Sequence, residues 1–286
     1  MNTDNSFELL PPAALAAVAE ANGITKTLKH PLHTFLLAIM AGVFISVGFT
    51  FYVTATTGID ALPYGLGRLA GGIAFSLGLM LVIVCGAELF TSAVLTVVAK
   101  ASGKITLGQL ARHWLNVYAG NLAGALLFVC LIWLSGQYLV AGGSWGANVL
   151  QIADHKLSYS FSQALCLGIL ANLMVCLAVW MSYAGRTLTD KLLVMILPVT
   201  MFVVCGFEHS IANLFMVPLA IIIKSFAGPE FWQLSGLTAE QFSALTPGQF
   251  LVNNLIPVTL GNILGGALLV GLTNWFIYRR NGPVSH

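Results

Sequence analysis

Two short segments place ionisable residues inside otherwise uncharged stretches of the chain. Residues 84–88 (VCGAE) and 204–208 (VCGFE) are identical at four of five positions and lie 120 residues apart. Each segment ends in a glutamate, and His209 follows the second one directly. A carboxylate can carry a proton or accept hydrogen bonds, and an imidazole with a reference pKa of about 6.5 exchanges protons near neutral pH. The segments therefore indicate proton exchange with, or electrostatic binding of, a small solute.

The residues that follow the two glutamates differ between the segments. Positions that serve a common scaffold should match between repeated halves, whereas positions that serve a substrate are free to differ. Glu88 and Glu208 match, so we interpret each carboxylate as an acceptor of hydrogen bonds from loop amides, with proton carriage as the alternative. His209 has no counterpart in the first half and is the sole histidine inside the spans predicted below. We predict that His209 acts on the substrate.

A second matching motif supports an internal repeat. The pattern Gly-Asn-x-x-Gly occurs at residues 120–124 and again at 261–265. Glycines four residues apart allow two helices in a membrane to approach closely, so we predict that these glycines lie at helix contacts. Of the two asparagines, Asn262 is also expected to bind the loop that precedes His209.

The composition indicates which elements position these residues. The chain has 286 residues, of which 58% are hydrophobic and 8% charged, whereas a soluble domain carries about 25% charged residues. A net charge of +2 is too small to create the positively charged surface that nucleic-acid binding requires, so a nucleic-acid-binding protein is excluded. The five cysteines lie in apolar stretches and form no Cys-x-x-Cys pair, so we interpret them as small apolar side chains in helix contacts and not as disulfides or metal ligands. We therefore predict one helical membrane domain with no cofactor and no metal site.

Uncharged stretches predict six spans, because about 20 apolar residues cross a hydrocarbon core. The first, third, fourth and sixth spans are continuous, whereas Glu88 and Glu208 interrupt the second and the fifth. The predicted spans are 34–59, 68–100, 114–139, 156–186, 191–224 and 246–278. Three spans per repeat is an odd number, so the two halves must insert with opposite topology. The predicted fold is an all-α membrane protein of two inverted three-helix repeats whose broken helices meet at the functional site.

The distribution of Lys and Arg predicts the orientation. Nine of these residues lie near span ends on the side of the chain termini, and three lie on the other side, which places both termini in the cytoplasm. The nine are Lys26, Lys29, Lys100, Lys104, Arg112, Arg186, Lys191, Arg279 and Arg280, and the three are Arg68, Lys156 and Lys224.

The chain divides into three parts on this basis. Residues 1–33 are predicted to be a cytoplasmic helical segment, residues 34–280 the transmembrane channel domain, and residues 281–286 a cytoplasmic tail. The Ala-rich run at 13–20 predicts a short surface helix in the first part. The alternative is an element that docks a gate or a cytosolic partner. No cleavable signal peptide is expected, because Asp4 and Glu8 occupy the place of a basic leader.

Two longer motifs resemble the signatures of a known family. Residues 86–92 (GAELFTS) resemble the first signature of the formate/nitrite transporter family, and residues 168–178 (GILANLMVCLA) resemble the second. The similarity extends over essentially the whole chain and is greatest to the formate channels of that family. It implies an aquaporin-like protomer with its own pore, a homopentamer in the bacterial inner membrane, and bidirectional, pH-dependent passage of formate or formic acid.

The resemblance also implies roles for individual residues. Phe75 and Phe202 would form a periplasmic constriction, and the cytoplasmic constriction would be formed by Leu79, Leu89, Phe90 and Val175. His209 would lie between them, with Thr91 as its hydrogen-bond partner and with Asn172 and Asn262 nearby. Lys26 would belong to the cytoplasmic vestibule.

These residues suggest a mechanism with open alternatives. In the first hypothesis His209 stabilises formate and lends it a proton, so that neutral formic acid passes the apolar constrictions. Acid outside would then favour uptake, and neutral pH would favour export.

A channel for nitrite, hydrosulfide, acetate or a similar small anion is the alternative within the family. An intramembrane hydrolase that uses Glu208 and His209 would need a nucleophile with its own base, which the sequence does not supply. A merely structural membrane protein would have no reason to break two helices.

Overall fold

The computed structural model describes residues 9–59 and 62–280, and within these residues the chain is helical without a strand. Residues 1–8, residues 60–61 and the 281–286 tail therefore lie outside the description. The helices are α1 (Pro12–Leu28), α2 (Pro31–Thr56), α3 (Tyr64–Val84), α4 (Phe90–Ala101), α5 (Leu107–Leu134), α6 (Ser144–Leu157), α7 (Phe161–Ser182), α8 (Leu188–Val204), α9 (Ser210–Phe226), α10 (Pro229–Ser235) and α11 (247–278).

The helices agree with the predicted spans. Helices α2, α3, α5, α7 and α11 are each long and apolar enough to cross a membrane. The second predicted span consists of α3 and α4, and the fifth consists of α8 and α9, with 17 residues in each of the latter two helices. Helix α11 contains two π-helical segments, Phe250–Leu255 and Leu264–Leu272, but runs on without a break.

The two helix breaks have the same backbone structure, which confirms the internal repeat. Gly86 and Gly206 both have φ of +71°, a left-handed conformation that favours glycine. After each glycine, the amide of the glutamate donates to a carbonyl of the preceding span: Glu88 to Leu37 at 3.2 Å and Glu208 to Leu167 at 3.3 Å. Each half therefore ends its second long helix, α3 or α8, in the same way and starts a new helix after five intervening residues.

Glycines bring the helices of each half into backbone contact, as the Gly-Asn-x-x-Gly motifs predict. A Cβ added to Gly124 on α5 would lie 2.0 Å from the carbonyl oxygen of Ile39 on α2. In the second half, a Cβ on Gly265 would lie 2.2 Å from the carbonyl oxygen of Ile169 on α7. Both distances are far below van der Waals contact, so only glycine fits at these crossings.

We expect Gly124→Ala to destabilise the protein strongly, because the added methyl group can be accommodated only if α2 and α5 separate. Overpacking of this kind costs about 1–3 kcal/mol, and here the obstacle is backbone rather than a flexible side chain. Thermal unfolding of the purified protein measures the effect. Gly108→Ala on the same helix is the control, since a Cβ there meets nothing within 4 Å. Equal unfolding temperatures for the two variants would contradict this packing argument.

Three features differ from the sequence-based expectations. Helix α6 was not predicted; it packs inward through buried residues such as Trp145 and Val149. Helix α5 begins at Leu107 rather than at the predicted residue 114, so His113 lies inside a spanning helix and is only 4% exposed. The expectation that His209 is the sole histidine within a span was therefore wrong. Charged residues mark the end of the hydrocarbon core, whereas helices continue into the interface beyond it.

Helix α1 confirms the predicted N-terminal helix and extends beyond the Ala-rich run. Glu20 attaches it to the end of α11, where Arg279 donates to the Glu20 carboxylate at 3.1 and 3.2 Å and the hydroxyl of Ser102 donates to it as well. Burial raises the pKa of Glu20, but the hydrogen bonds from Arg279 and Ser102 outweigh it, so the pKa lies below its ordinary value. The charged form is therefore the one that holds α1.

We expect Glu20→Gln to loosen α1 at neutral pH. A carboxyl group with a lowered pKa stabilises the folded state above its unfolded pKa, and it loses that contribution as the pH falls through the folded pKa. The neutral variant should therefore be cleaved faster by trypsin after Lys26 or Lys29, whereas acid should have little further effect on it. Asp190→Asn is the control for a general change of charge on the protein surface. Unchanged cleavage in Glu20→Gln would show that apolar contacts alone hold α1.

Candidate substrate pore

His209 and Thr91 meet where the two broken helices face each other. His209 is the N-cap residue of α9, and its Nδ1 accepts a hydrogen bond from the Ala212 amide at 3.1 Å. Its Nε2 lies 2.9 Å from Oγ1 of Thr91, in the first turn of α4. Because Nδ1 accepts, a neutral ring carries its proton on Nε2 and donates to Thr91. The predicted partnership of His209 and Thr91 is present in the structure.

An apolar chamber adjoins this pair. It has a volume of about 190 Å³, and His209 is the one ionisable side chain among the described residues that line it. The lining residues are Ile45, Phe75, Leu79, Leu89, Val175, Val199, Phe202 and His209. Five of the six predicted constriction residues are therefore brought together. An anion in this chamber would lose its hydration shell, which is costly unless it gains a proton or a counter-charge.

Phe90 is the constriction residue that lies elsewhere. Its ring packs edge-on against Tyr118 at a centroid distance of 4.9 Å and against Trp114 at 6.4 Å, both on α5. The side chain is buried in this contact rather than along the chamber. The difference follows from helix geometry, because Phe90 begins α4 and adjacent residues on a helix point in different directions.

Two aromatic rings separate the chamber from one vestibule. Phe75 and Phe202 meet edge to face with centroids 5.7 Å apart, and Phe202 stacks on His209 at 5.9 Å. All three also line a cavity of about 610 Å³, which we call the distal vestibule because it opens away from the chain ends. Arg68 and Lys156 add positive charge to this vestibule.

A second cavity opens on the face that carries α1 and residue 280. This terminal vestibule has a volume of about 1170 Å³ and includes Lys26, Lys29 and Glu88. Val82 and Val179 also line it, and they lie one helical turn beyond Leu79 and Val175 of the chamber. The three cavities thus follow one another along the protein, and Lys26 lies in the vestibule where the resemblance placed it.

Two asparagines hold the broken backbone in the same way in each half. Oδ1 of Asn121 accepts from the Phe90 amide at 2.8 Å, and its Nδ2 donates to the Glu88 carbonyl at 2.9 Å. In the second half, Oδ1 of Asn262 accepts from the Ser210 amide at 2.9 Å, and Nδ2 donates to the Glu208 carbonyl at 3.0 Å. Each asparagine therefore satisfies backbone groups that the break leaves without helical partners.

Asn172 and Asn262 bind backbone and do not line the chamber. Nδ2 of Asn172 donates to the carbonyls of Thr91 at 3.0 Å and Asn262 at 2.6 Å. Neither asparagine is among the chamber residues, and both are fully buried. The two asparagines thus lie near Thr91 and His209 and position them from behind, and a direct role of either in substrate passage stays a prediction.

The glutamates also have partners other than those expected. The Glu88 carboxylate pairs with Lys26 and Lys29, each at 2.9 Å. The Glu208 carboxylate pairs with Lys156 at 2.8 Å. The expectation that loop amides donate to these carboxylates was wrong, because the amides are satisfied by asparagine side chains and by carbonyls. Buried glutamates instead neutralise lysines that face the two vestibules.

Sequence reasoning missed two further residues at Glu208. Asn213 donates to the Glu208 carboxylate at 2.7 Å and Asn254 donates to it at 3.0 Å, and both side chains are fully buried. A signal was available, since both are amides inside uncharged spans and Asn254 lies two helical turns before Asn262 on α11. Polar side chains in such positions need buried partners.

Comparisons with known proteins agree with this geometry. The family model described as formate/nitrite transporter matches residues 13–276. The chain is 66% identical to formate channel FocA of Escherichia coli strain K12 over 280 residues, which cover 98% of each protein. It is 47% identical to formate channel FocA of Haemophilus influenzae over 271 residues, or 95% of each.

Solved structures show the same fold. A pentameric formate channel with formate bound superposes with a TM-score of 0.84 at 52% identity, covering 87% of this chain and 97% of that one. An ion channel of the same family gives a TM-score of 0.76 at 27% identity, covering 92% and 98%. With the repeated broken helices and the chamber between them, these matches show that the chain is an integral membrane protein that belongs to the formate/nitrite transporter family.

Proposed function

We propose that this chain is a formate channel in which each protomer of a homopentamer passes formate between its two vestibules. The observation that carries the proposal is a single histidine at an otherwise apolar chamber between two vestibules with lysines. Similarity to formate channels, one of them solved as a pentamer with formate bound, supports formate over nitrite or hydrosulfide. The relatives are channels and transporters, which supports transport rather than hydrolysis.

The electrostatics of the path favour a proton transfer at His209. Formate, with a pKa near that of Asp at about 3.9, remains an anion in the vestibules at neutral pH. Between Phe75 and Leu79 it loses water, and this raises the free energy of the anion more than that of formic acid. A neutral His209 uses Nδ1 for the Ala212 amide, so the imidazolium forms only when that bond opens.

The substrate itself supplies the counter-charge for this step. An approaching formate stabilises the imidazolium, which then transfers its Nε2 proton to a carboxylate oxygen. Formic acid leaves the chamber, and the ring becomes neutral with its remaining proton on Nδ1, so the bond from Ala212 stays open until that proton is exchanged. A proton from the distal side restores the imidazolium. Acid on that side therefore favours uptake, and neutral pH favours export of the anion.

The proposal extends to orientation and to the parts of the chain. We place the protein in the bacterial inner membrane with both termini in the cytoplasm, so that the terminal vestibule with Lys26 is cytoplasmic. Residues 1–33 are assigned to a cytoplasmic segment that offers a surface to a cytosolic partner, 34–280 to the channel, and 281–286 to the tail. Membrane lipid surrounds the assembly.

Flux in reconstituted vesicles tests the function. We expect formate to equilibrate across the vesicle membrane much faster with the protein than without it, with nitrite and hydrosulfide as weaker competitors. A pH gradient with the acid side outside should accelerate uptake. Vesicles that pass nitrite but exclude formate would refute the assignment.

A further inference from the structure

A small polar cavity lies outside the pore, at the connection between α1 and α2. This elbow cavity is small, with room for about one atom such as a single oxygen, and is closed on one side by the beginning of α5. Six of the side chains around it are polar or charged: Thr27, Lys29, Thr34, Arg112, His113 and Asn116. Nothing in the proposed passage of formate uses this cavity.

Two buried polar atoms at the elbow cavity have no partner among the described residues. Within 9–59 and 62–280, Oγ1 of Thr27 and Nε2 of His113 make no hydrogen bond, although these residues are only 3% and 4% exposed. Buried polar groups are normally satisfied, so a bound ligand can supply the partner. A hydroxyl and a neutral imidazole can each donate or accept a hydrogen bond, so the charges around the cavity decide which partner fits.

Two cations at the elbow cavity specify the charge of the ligand. Lys29 pairs with Glu88 at 2.9 Å and so already shares its charge. No ion pair within the described residues includes Arg112. The Asn116 amide is engaged with the Pro31 carbonyl at 2.7 Å. The site therefore offers donors and a surplus positive charge, which suits an anion with several oxygens such as a phosphate group.

The surroundings indicate where that phosphate comes from. Leu28, Leu32 and Leu115 lie close to these cations in sequence and expose more than half of their surface in the chain. Cations next to exposed apolar side chains at the end of spanning helices are typical of the level at which lipid headgroups meet protein. A lipid can place its phosphate at the cavity and its acyl chains along the leucines.

We propose that the elbow cavity binds the phosphate of an anionic phospholipid. One phosphate oxygen enters the cavity between Thr27 and His113, and the others face Arg112 and Lys29 at its mouth. Lys29 also pairs with Glu88 at the helix break of the second span, so Lys29 would contact both the bound headgroup and the break.

Native mass spectrometry of the full chain tests this site. The protein is released from nanodiscs that contain equal amounts of phosphatidylglycerol and phosphatidylcholine, and the retained lipids are counted. We expect preferential retention of phosphatidylglycerol and a loss of about five-fold in Arg112→Gln, since each cation contributes roughly that factor. Thr27→Val, which keeps the volume and removes the hydroxyl, should give a smaller loss. Arg280→Gln, at an exposed arginine on the same face, should change nothing.

Other outcomes would overturn the proposal. Equal retention of the two lipids, or equal retention by wild type and Arg112→Gln, would mean that the cavity holds only water. Displacement of phosphatidylglycerol by excess inorganic phosphate would assign the site to a free anion instead of a lipid. Elution of each variant as the same oligomer as the wild type confirms that a lost lipid is not caused by misfolding.

Discussion

Replacing His209 with asparagine is expected to leave a folded channel whose formate uptake no longer responds to external acid. The Oδ1 of asparagine can accept from the Ala212 amide in place of Nδ1, because asparagine is a favourable N-cap residue. It cannot exchange a proton. General acid catalysis contributes about 100-fold or more to proton transfer, so acid-driven uptake in vesicles should fall by at least that order.

Two further variants make this result specific. His209→Gln extends its amide toward Thr91 and should lose the pH response in the same way. His155→Asn changes an exposed histidine of the distal vestibule and should retain the response. If His209→Asn kept both its flux and its pH dependence, proton transfer at His209 would be ruled out, although passage of formate would still stand.

Replacing Asn262 with leucine is expected to destabilise the channel strongly. The substitution removes the partners of the Ser210 amide and the Glu208 carbonyl at a buried helix break, and a partner of the Gly168 carbonyl on α7. Each unsatisfied buried group costs about 1–3 kcal/mol, so we expect a destabilisation of about 4 kcal/mol. Thermal unfolding and the yield of intact oligomer measure it.

The same helix offers a control for this variant. Within the part of the chain that the structure describes, the Asn253 side chain bonds only to the exposed side chain of Gln249, so Asn253→Leu should unfold within a few degrees of the wild type. Asn121→Leu, in the other half, should lose as much as Asn262→Leu, because its three bonds match. A mild effect of Asn262→Leu would show that water can replace the asparagine and that the break is hydrated.

The helix breaks could be predicted because they are local and occur twice. A glutamate after a glycine inside an apolar run is costly in a membrane, and its repetition at Glu88 and Glu208 excludes coincidence. The pairing of His209 with Thr91 was implied by the resemblance to the formate/nitrite transporter family, and both residues lie at the start of the helix that follows the break in their half. Motif similarity then identified five of the residues that line the chamber.

The partners of the glutamates could not be predicted in this way. Lys26 and Glu88 are 62 residues apart, and Lys156 and Glu208 are 52 residues apart, so folding alone brings them together. For the prediction of orientation, these lysines were counted as surface charges near span ends, and their pairing with buried glutamates was not expected. Helix α6 was missed for a related reason: Asp154 and Lys156 suggested a loop, although the buried face of α6 is apolar.

The matching roles of Asn121 and Asn262 at the two helix breaks affect how the sequences of the two halves can differ. Asn121 and Asn262 support each break through backbone groups alone, so the side chain at the N-cap position contributes little to holding either break. In one half that position holds Leu89, which makes no capping bond, and in the other it holds His209. A duplicated, symmetric framework can thus acquire a titratable pore residue in one half through a single substitution, without any change in the fold that carries it.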